Sequence, residues 1–278
     1  MKTVGIVGLG LIGGSFAKAL HSAGYRVLAM NRSAQVLKEA ENVIDGVLTK
    51  ENMGLCDFII IALYPEGIID FFNAHRGCMK KGAIVVDCAG VKGRICQALS
   101  PLAKENGIFF IGGHPMAGVE NSGFAASFAE LFKGAAMILC EDEFTDDGAL
   151  TAASELFMDA GFGCVKITSP AEHDAVIAYT SQLAHIVSSA YMQSETAQLR
   201  RGFSAGSYKD LTRVAKLNER MWAELFFENR DCLLAETDMF IERMTEFKQA
   251  LSSEDYEKMT ELLRRGRMMK EADTDEND

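Results

Sequence analysis

No apolar run in this chain approaches the ~20 residues needed to cross a bilayer, so no membrane span is expected. Positive charge is also scarce. Lys and Arg number 28 against 39 Asp and Glu, a net charge of −11, which leaves no electrostatic footprint for nucleic acid or an anionic membrane. No C-x-x-C pair occurs. The seven cysteines (Cys56, Cys78, Cys88, Cys96, Cys140, Cys164 and Cys232) are scattered and odd in number. That pattern argues against a metal site or a disulfide framework and for buried thiols in a reducing cytoplasm. The first residues, Met1 to Gly8, lack the charged region, long apolar stretch and cleavage site of a signal peptide, and read as a first strand. There is no internal repeat and no low-complexity linker. What is there is ample core: 48% of 278 residues are hydrophobic and only 4 are proline, enough for one or two packed domains. The polar, acidic stretch Glu271–Asp278 reads as a frayed tail.

Up to about residue 168, apolar strand-like runs alternate with amphipathic stretches. The runs are Thr3–Leu9, Arg26–Met30, Asp57–Leu63, Ala83–Cys88, Gly107–Ile111, Ala135–Leu139 and Cys164–Ile167. Gly14–Ser22, Lys92–Lys104 and Gly148–Ala160 read as helices between them. This alternation predicts βαβ units and a mostly parallel sheet. After Ser169-Pro170 the pattern becomes all helical: Ala171–Thr196, Tyr208–Lys216, Glu219–Thr237, Asp238–Leu251 and Ser253–Lys270, with a helix boundary at Leu217-Asn218. The expected architecture is therefore an α/β Rossmann-type dinucleotide-binding domain over 1–168, followed by an all-α domain over 169–278. The first of these helices is apolar on much of its circumference and must be buried, which a homodimer through the helical domain would achieve.

Gly8-x-Gly10-x-x-Gly13 follows the first strand and opens a helix. In that context it is a dinucleotide turn, with Leu11 and Ile12 inside it and the pyrophosphate expected at the helix N-terminus. Leu63 and Asp87, near the ends of two later strands, complete the expected cofactor site. The second strand ends in Asn31-Arg32-Ser33, where NAD sites usually carry an acidic residue for the ribose 2′-hydroxyl. With no carboxylate to repel a 2′-phosphate, and Arg32 and Ser33 able to bind one, NADP is favoured over NAD. Farther on, Gly112-Gly113-His114-Pro115-Met116-Ala117-Gly118 places a histidine at the carboxyl end of a strand, where an α/β sheet holds its reactive groups.

These motifs, together with Asp87-x-x-Gly90-Val91-Lys92-Gly93, Ser181-x-Leu183-x-His185 and Tyr208-Lys209-Asp210-Leu211-Thr212-Arg213, resemble the prephenate/arogenate dehydrogenase family of tyrosine biosynthesis, in its order and spacing. The resemblance spans residue 4 to about 230. It implies oxidation of a cyclohexadienol, with loss of carbon dioxide giving a phenol. By the same resemblance His114 is the base for the ring hydroxyl and Arg213 binds a substrate carboxylate. His185 contacts the substrate side chain, with Ser181 on the same helix face. Lys209, Asp210 and Glu120 order the pocket entrance. Trp222 is expected only to pack the helical domain.

Two departures stand out. Many relatives carry a serine where this chain has Gly90, so no side chain at that position can orient His114, and a water or backbone group is expected to do so. The family's Leu-Pro-His is Leu183-Ala184-His185 here, which should straighten the helix. The implied substrate is prephenate, with arogenate as the alternative. A β-hydroxyacid dehydrogenase or imine reductase would use a second-domain lysine or lack the His114 motif. A dinucleotide-sensing module would have no use for His114 and Arg213 together.

Overall fold

A computed structural model describes residues 1–119 and 121–274. Its sheet has eight strands: β1 (Thr3–Val7), β2 (Arg26–Met30), β3 (Gly46–Val47), β4 (Phe58–Ile61), β5 (Ile84–Asp87), β6 (Phe109–Pro115), β7 (Ala136–Cys140) and β8 (Cys164–Thr168). Their order is β3-β2-β1-β4-β5-β6-β7-β8, so the chain runs outward from β1 in both directions, as in dinucleotide-binding folds. The helices are α1 (Leu11–Ser22), α2 (Ala34–Glu39), α3 (Pro65–His75), α4 (Gly93–Glu105), α5 (Asp147–Asp159), α6 (Pro170–Ile177), α7 (Ala184–Met192), α8 (Gly206–Thr212), α9 (Glu219–Glu228), α10 (Arg230–Ser252) and α11 (Tyr256–Thr274).

The strands β1, β4 and β5 are buried along their whole length, which is why they read as unbroken apolar runs rather than alternating ones. One apolar layer gathers Phe16, Phe132, Phe157 and Phe162 on one face of the sheet, with Phe16 and Phe132 stacked at 4.2 Å. The other gathers Ile59, Ile61, Phe72, Ile95 and Leu99.

Strand β6 changes partners midway. Phe109 to Ile111 pair parallel with β5, and Gly112 to Pro115 pair antiparallel with β7. His114 therefore sits at the carboxyl end of β6, as expected, still paired opposite Ile138. Gly113 explains the double glycine before it: a Cβ there would run into the Asp87 carbonyl oxygen, Val86 and Met137. The glycine is needed for the close packing of β6 on its neighbours.

By backbone contacts the chain forms two units, Met1–Thr180 with Lys216–Asn229, and Ser181–Ala215 with Arg230–Asp278. The sequence expectation placed a single boundary near residue 168. Two interactions account for the difference. The Asp174 carboxylate of α6 accepts the Lys92 and Gly93 backbone N–H groups at 2.8 and 2.7 Å. Asn229, just after α9, donates its amide to the Asp174 carbonyl at 2.8 Å. The helix α9, and Trp222 with it, thus belongs to the first unit.

The expected helix over Ala171–Thr196 is interrupted by a π-turn at Ala178–Leu183. The segment before His185 is consequently not a straightened α-helix. The expected helix Glu219–Thr237 breaks at Asn229, where α9 ends and α10 begins. Asn218 does cap α9, accepting the Met221 N–H at 3.1 Å. Helix α11 runs through Glu271–Asp273, which had been read as tail, and 275–278 lie outside the described residues. No helix is long and apolar enough to cross a membrane among the described residues.

Candidate active site

The turn between β1 and α1 is built by its glycines. Gly8 has φ +89°, a conformation L side chains rarely adopt, and a Cβ on it would lie 2.5 Å from the Ala62 carbonyl oxygen and 2.9 Å from Leu63. Leu63 is thereby packed against the turn. A Cβ on Gly13 would strike the Gly8 carbonyl. Gly10 is different: nothing lies within 4 Å of where its Cβ would stand, and α1 has no side-chain cap there. Uncapped helix N–H groups facing open space fit a pyrophosphate. Leu11 and Ile12, half-buried, begin the helix.

Asn31 accepts the Leu9 N–H at 3.1 Å, tying the end of β2 to this turn. Ser33 caps α2 by accepting the Val36 N–H at 3.4 Å, and Arg32 is exposed beside it. No carboxylate occupies residues 31 to 33. Asp87 behaves otherwise than expected of a cofactor ligand. Its side chain is fully buried, paired with the equally buried Lys92, and accepts the Ala89 and Gly113 N–H groups at 2.9 and 3.1 Å. The Lys92 ammonium also donates to the Gly113 carbonyl at 2.7 Å. This ion pair clamps the end of β5 to the strand residue preceding His114.

His114 is oriented by a side chain that the sequence reading did not find. Its Nδ1 lies 2.9 Å from Nε2 of His173, and His173 Nδ1 lies 2.7 Å from Asp174 Oδ1. Each link fixes the next. The Asp174 oxygens already accept two backbone N–H groups, so in the contact with His173 it is Nδ1–H that donates. The remaining His173 nitrogen then accepts from His114 Nδ1–H. This network assigns His114 Nε2 an unprotonated lone pair. Burial first, then the electrostatic influence of His173 and of the Lys92 ammonium, holds the His114 pKa well below the ordinary 6.5. Such an imidazole is neutral at physiological pH and can accept a proton.

Gly90 faces this free nitrogen: a Cβ on it would stand 3.8 Å from His114 Nε2. Among the expected entrance residues, Glu120 lies outside the described residues. The others belong to the second unit. Ser181 is half-buried in the π-turn, and His185 bonds through Nδ1 to the Val214 carbonyl at 2.8 Å. Burial lowers the His185 pKa, the Val214 carbonyl partly offsets this, and the Arg213 charge adds to the lowering. Lys209 and Asp210 on α8, and Arg213 just after it, are exposed. No group of side chains able to hold a metal occurs among the described residues.

A family model described as prephenate dehydrogenase, nucleotide-binding domain, matches residues 16–166, and one described as prephenate dehydrogenase, dimerization domain, matches residues 169–265. The chain is 30% identical over 269 residues to a cyclohexadienyl dehydrogenase of Zymomonas mobilis, covering 91% of this chain and 90% of that one. It is 29% identical to a prephenate dehydrogenase of Bacillus subtilis, covering 92% and 72%. Among solved structures, prephenate dehydrogenase from A. aeolicus in complex with hydroxyphenyl propionate and NAD+ superposes with a TM-score of 0.86 at 27% identity, over 98% of both chains.

Proposed function

The chain belongs to the prephenate dehydrogenase family of oxidoreductases, and on that premise we propose that it converts prephenate to 4-hydroxyphenylpyruvate with NADP+ as the favoured acceptor. The observation that carries the reading is the Asp174–His173–His114 chain, which leaves one basic nitrogen free on a neutral imidazole. His114 Nε2 takes the ring hydroxyl proton as hydride leaves the carbinol carbon. Bound nicotinamide supplies the hydride acceptor. The C–C bond to the ring carboxylate then breaks, carbon dioxide departs, and its electron pair closes the aromatic ring.

His173 and Asp174 hold the imidazole in one tautomer and stabilise it as it becomes positive. Gly8, Gly10 and Gly13, with the N-terminus of α1, hold the pyrophosphate. Arg32 and Ser33 would bind a 2′-phosphate, and NAD is the second acceptor, since Arg32 is exposed and no residue there excludes it. Arg213, Lys209, Asp210, His185 and Ser181 serve the substrate's carboxylate and side chain. Arogenate is the alternative substrate.

Ile241, Met244, Leu251 and Leu263 are exposed apolar side chains on α10 and α11, in the segment matched by the dimerization-domain model. A homodimer through these helices would cover them. Seven free cysteines support residence in a reducing cytoplasm. Prephenate and arogenate, each offered with both cofactors while reduced cofactor is followed by absorbance, test the activity. Turnover of neither substrate overturns the reading.

A further inference from the structure

Gly90 has no conformational reason to be glycine. Its φ is not among the positive values of this chain, and a methyl there would meet its neighbours only at ordinary contact distances. Those neighbours are His114 Nε2 at 3.8 Å and the two Leu225 methyls at 3.7 and 3.8 Å. The missing side chain thus leaves a gap about one methyl wide, with the free nitrogen on one side and Leu225 on the other. All three residues are partly exposed. Leu225 is in neither apolar core of the sheet. Its helix is nevertheless firmly held. Arg94 bridges Glu228 of α9 to Glu66 of α3, and Asn229 bonds the Asp174 carbonyl. Asp174 therefore anchors two things at once. Its carboxylate orients the imidazole pair, and its carbonyl holds the chain just beyond Leu225.

We propose that Leu225 is a specificity-determining wall of the substrate site, against which the cyclohexadiene ring rests while its hydroxyl meets His114 Nε2 in the gap left by Gly90. The inference rests on the prephenate reading above. The ring edge is the apolar part of a substrate whose other groups are two carboxylates, a hydroxyl and a side-chain keto or amino group, and an aliphatic side chain is the surface that suits it. Because the wall touches a part of the substrate that is present before and after hydride departure, it contributes binding more than rate.

The test compares Leu225→Ala, Leu225→Met and Gly90→Ala with wild type. KM and kcat for prephenate and arogenate are measured, together with cofactor affinity by fluorescence of the reduced form. Leu225→Ala should raise substrate KM about tenfold, change kcat less than about threefold, and leave cofactor affinity unchanged. Leu225→Met, which restores apolar bulk, should return KM close to wild type. Gly90→Ala, which fills the gap, should raise KM at least as much as Leu225→Ala. If Leu225→Ala does not fold, Gly90→Ala decides. An active wild type whose KM is unmoved in these variants overturns the wall, as does a loss confined to cofactor affinity or kcat. A wild type silent with both substrates overturns the activity reading itself.

Discussion

His114 Nδ1 stands 2.9 Å from His173 Nε2, and that contact decides which face of the His114 ring is basic. A histidine held through Nδ1 presents Nε2 outward, here toward Gly90 and Leu225. The contact joins the carboxyl end of β6 to α6, two elements with no other reason to share a proton. Its far end is Asp174, whose carboxylate is held by backbone at the start of α4. The arrangement keeps a neutral base in place without any side chain at position 90.

The pH dependence follows from the depressed His114 pKa. The base is lost only when His114 is protonated, so kcat for prephenate should hold as pH falls through 6.5 and decline only well below it. Stability carries the same sign. The unfolded chain takes up this proton near 6.5 and the native one does not, so stability from this group is intact above 6.5 and declines as pH falls toward the native value. Rate and chemical-denaturation profiles from neutral pH downward check both. A kcat that halves near 6.5 contradicts the burial argument.

The Lys92–Asp87 pair has both side chains completely shielded from solvent. Lys92→Met removes one charge and strands the other, at a cost of about 3–5 kcal/mol. The melting temperature should fall by about 10 °C, and His114, adjoining the Gly113 carbonyl that Lys92 grips, should lose rate as well. Lys92→Met with Asp87→Leu should regain much of the stability, because no unpaired charge is left. A Lys92→Met protein as stable as wild type would show the pair to be unimportant.

Asn31→Asp keeps an acceptor for the Leu9 N–H, so the turn should stay intact. It places a negative charge where a 2′-phosphate would bind and an acceptor where a 2′-hydroxyl would. The ratio of kcat/KM with NADP to that with NAD should fall about tenfold or more. An unchanged ratio removes the argument for NADP.

Much of this was legible in the chain. Unbroken runs such as Phe58–Ile61 announce strands buried on both faces, and Gly8, Gly10 and Gly13 mark a turn whose glycines the structure needs for distinct steric reasons. His114 was legible from its motif. Its partner was not: His173 is 59 residues away and sits in Glu172-His173-Asp174, which reads as an ordinary first turn of a helix. The two-residue strand β3 is too short to leave a period. The π-turn before His185 has no breaker residue, since its extra residue comes from backbone bonding rather than from composition. The return of α9 to the first unit depends on Asn229 and Asp174, a bond across 55 residues that no local pattern encodes.

The most direct measurement is the turnover of prephenate by His114→Asn and His173→Ala beside wild type, with cofactor affinity measured in all three. The account predicts that wild type reduces its cofactor and that His114→Asn loses kcat by about a thousandfold or more. His173→Ala should lose about a hundredfold in kcat with little change in KM, and its rate should show a different acid limb. Wild-type turnover by His114→Asn, with prephenate consumed at the same rate, would contradict the assignment of the base.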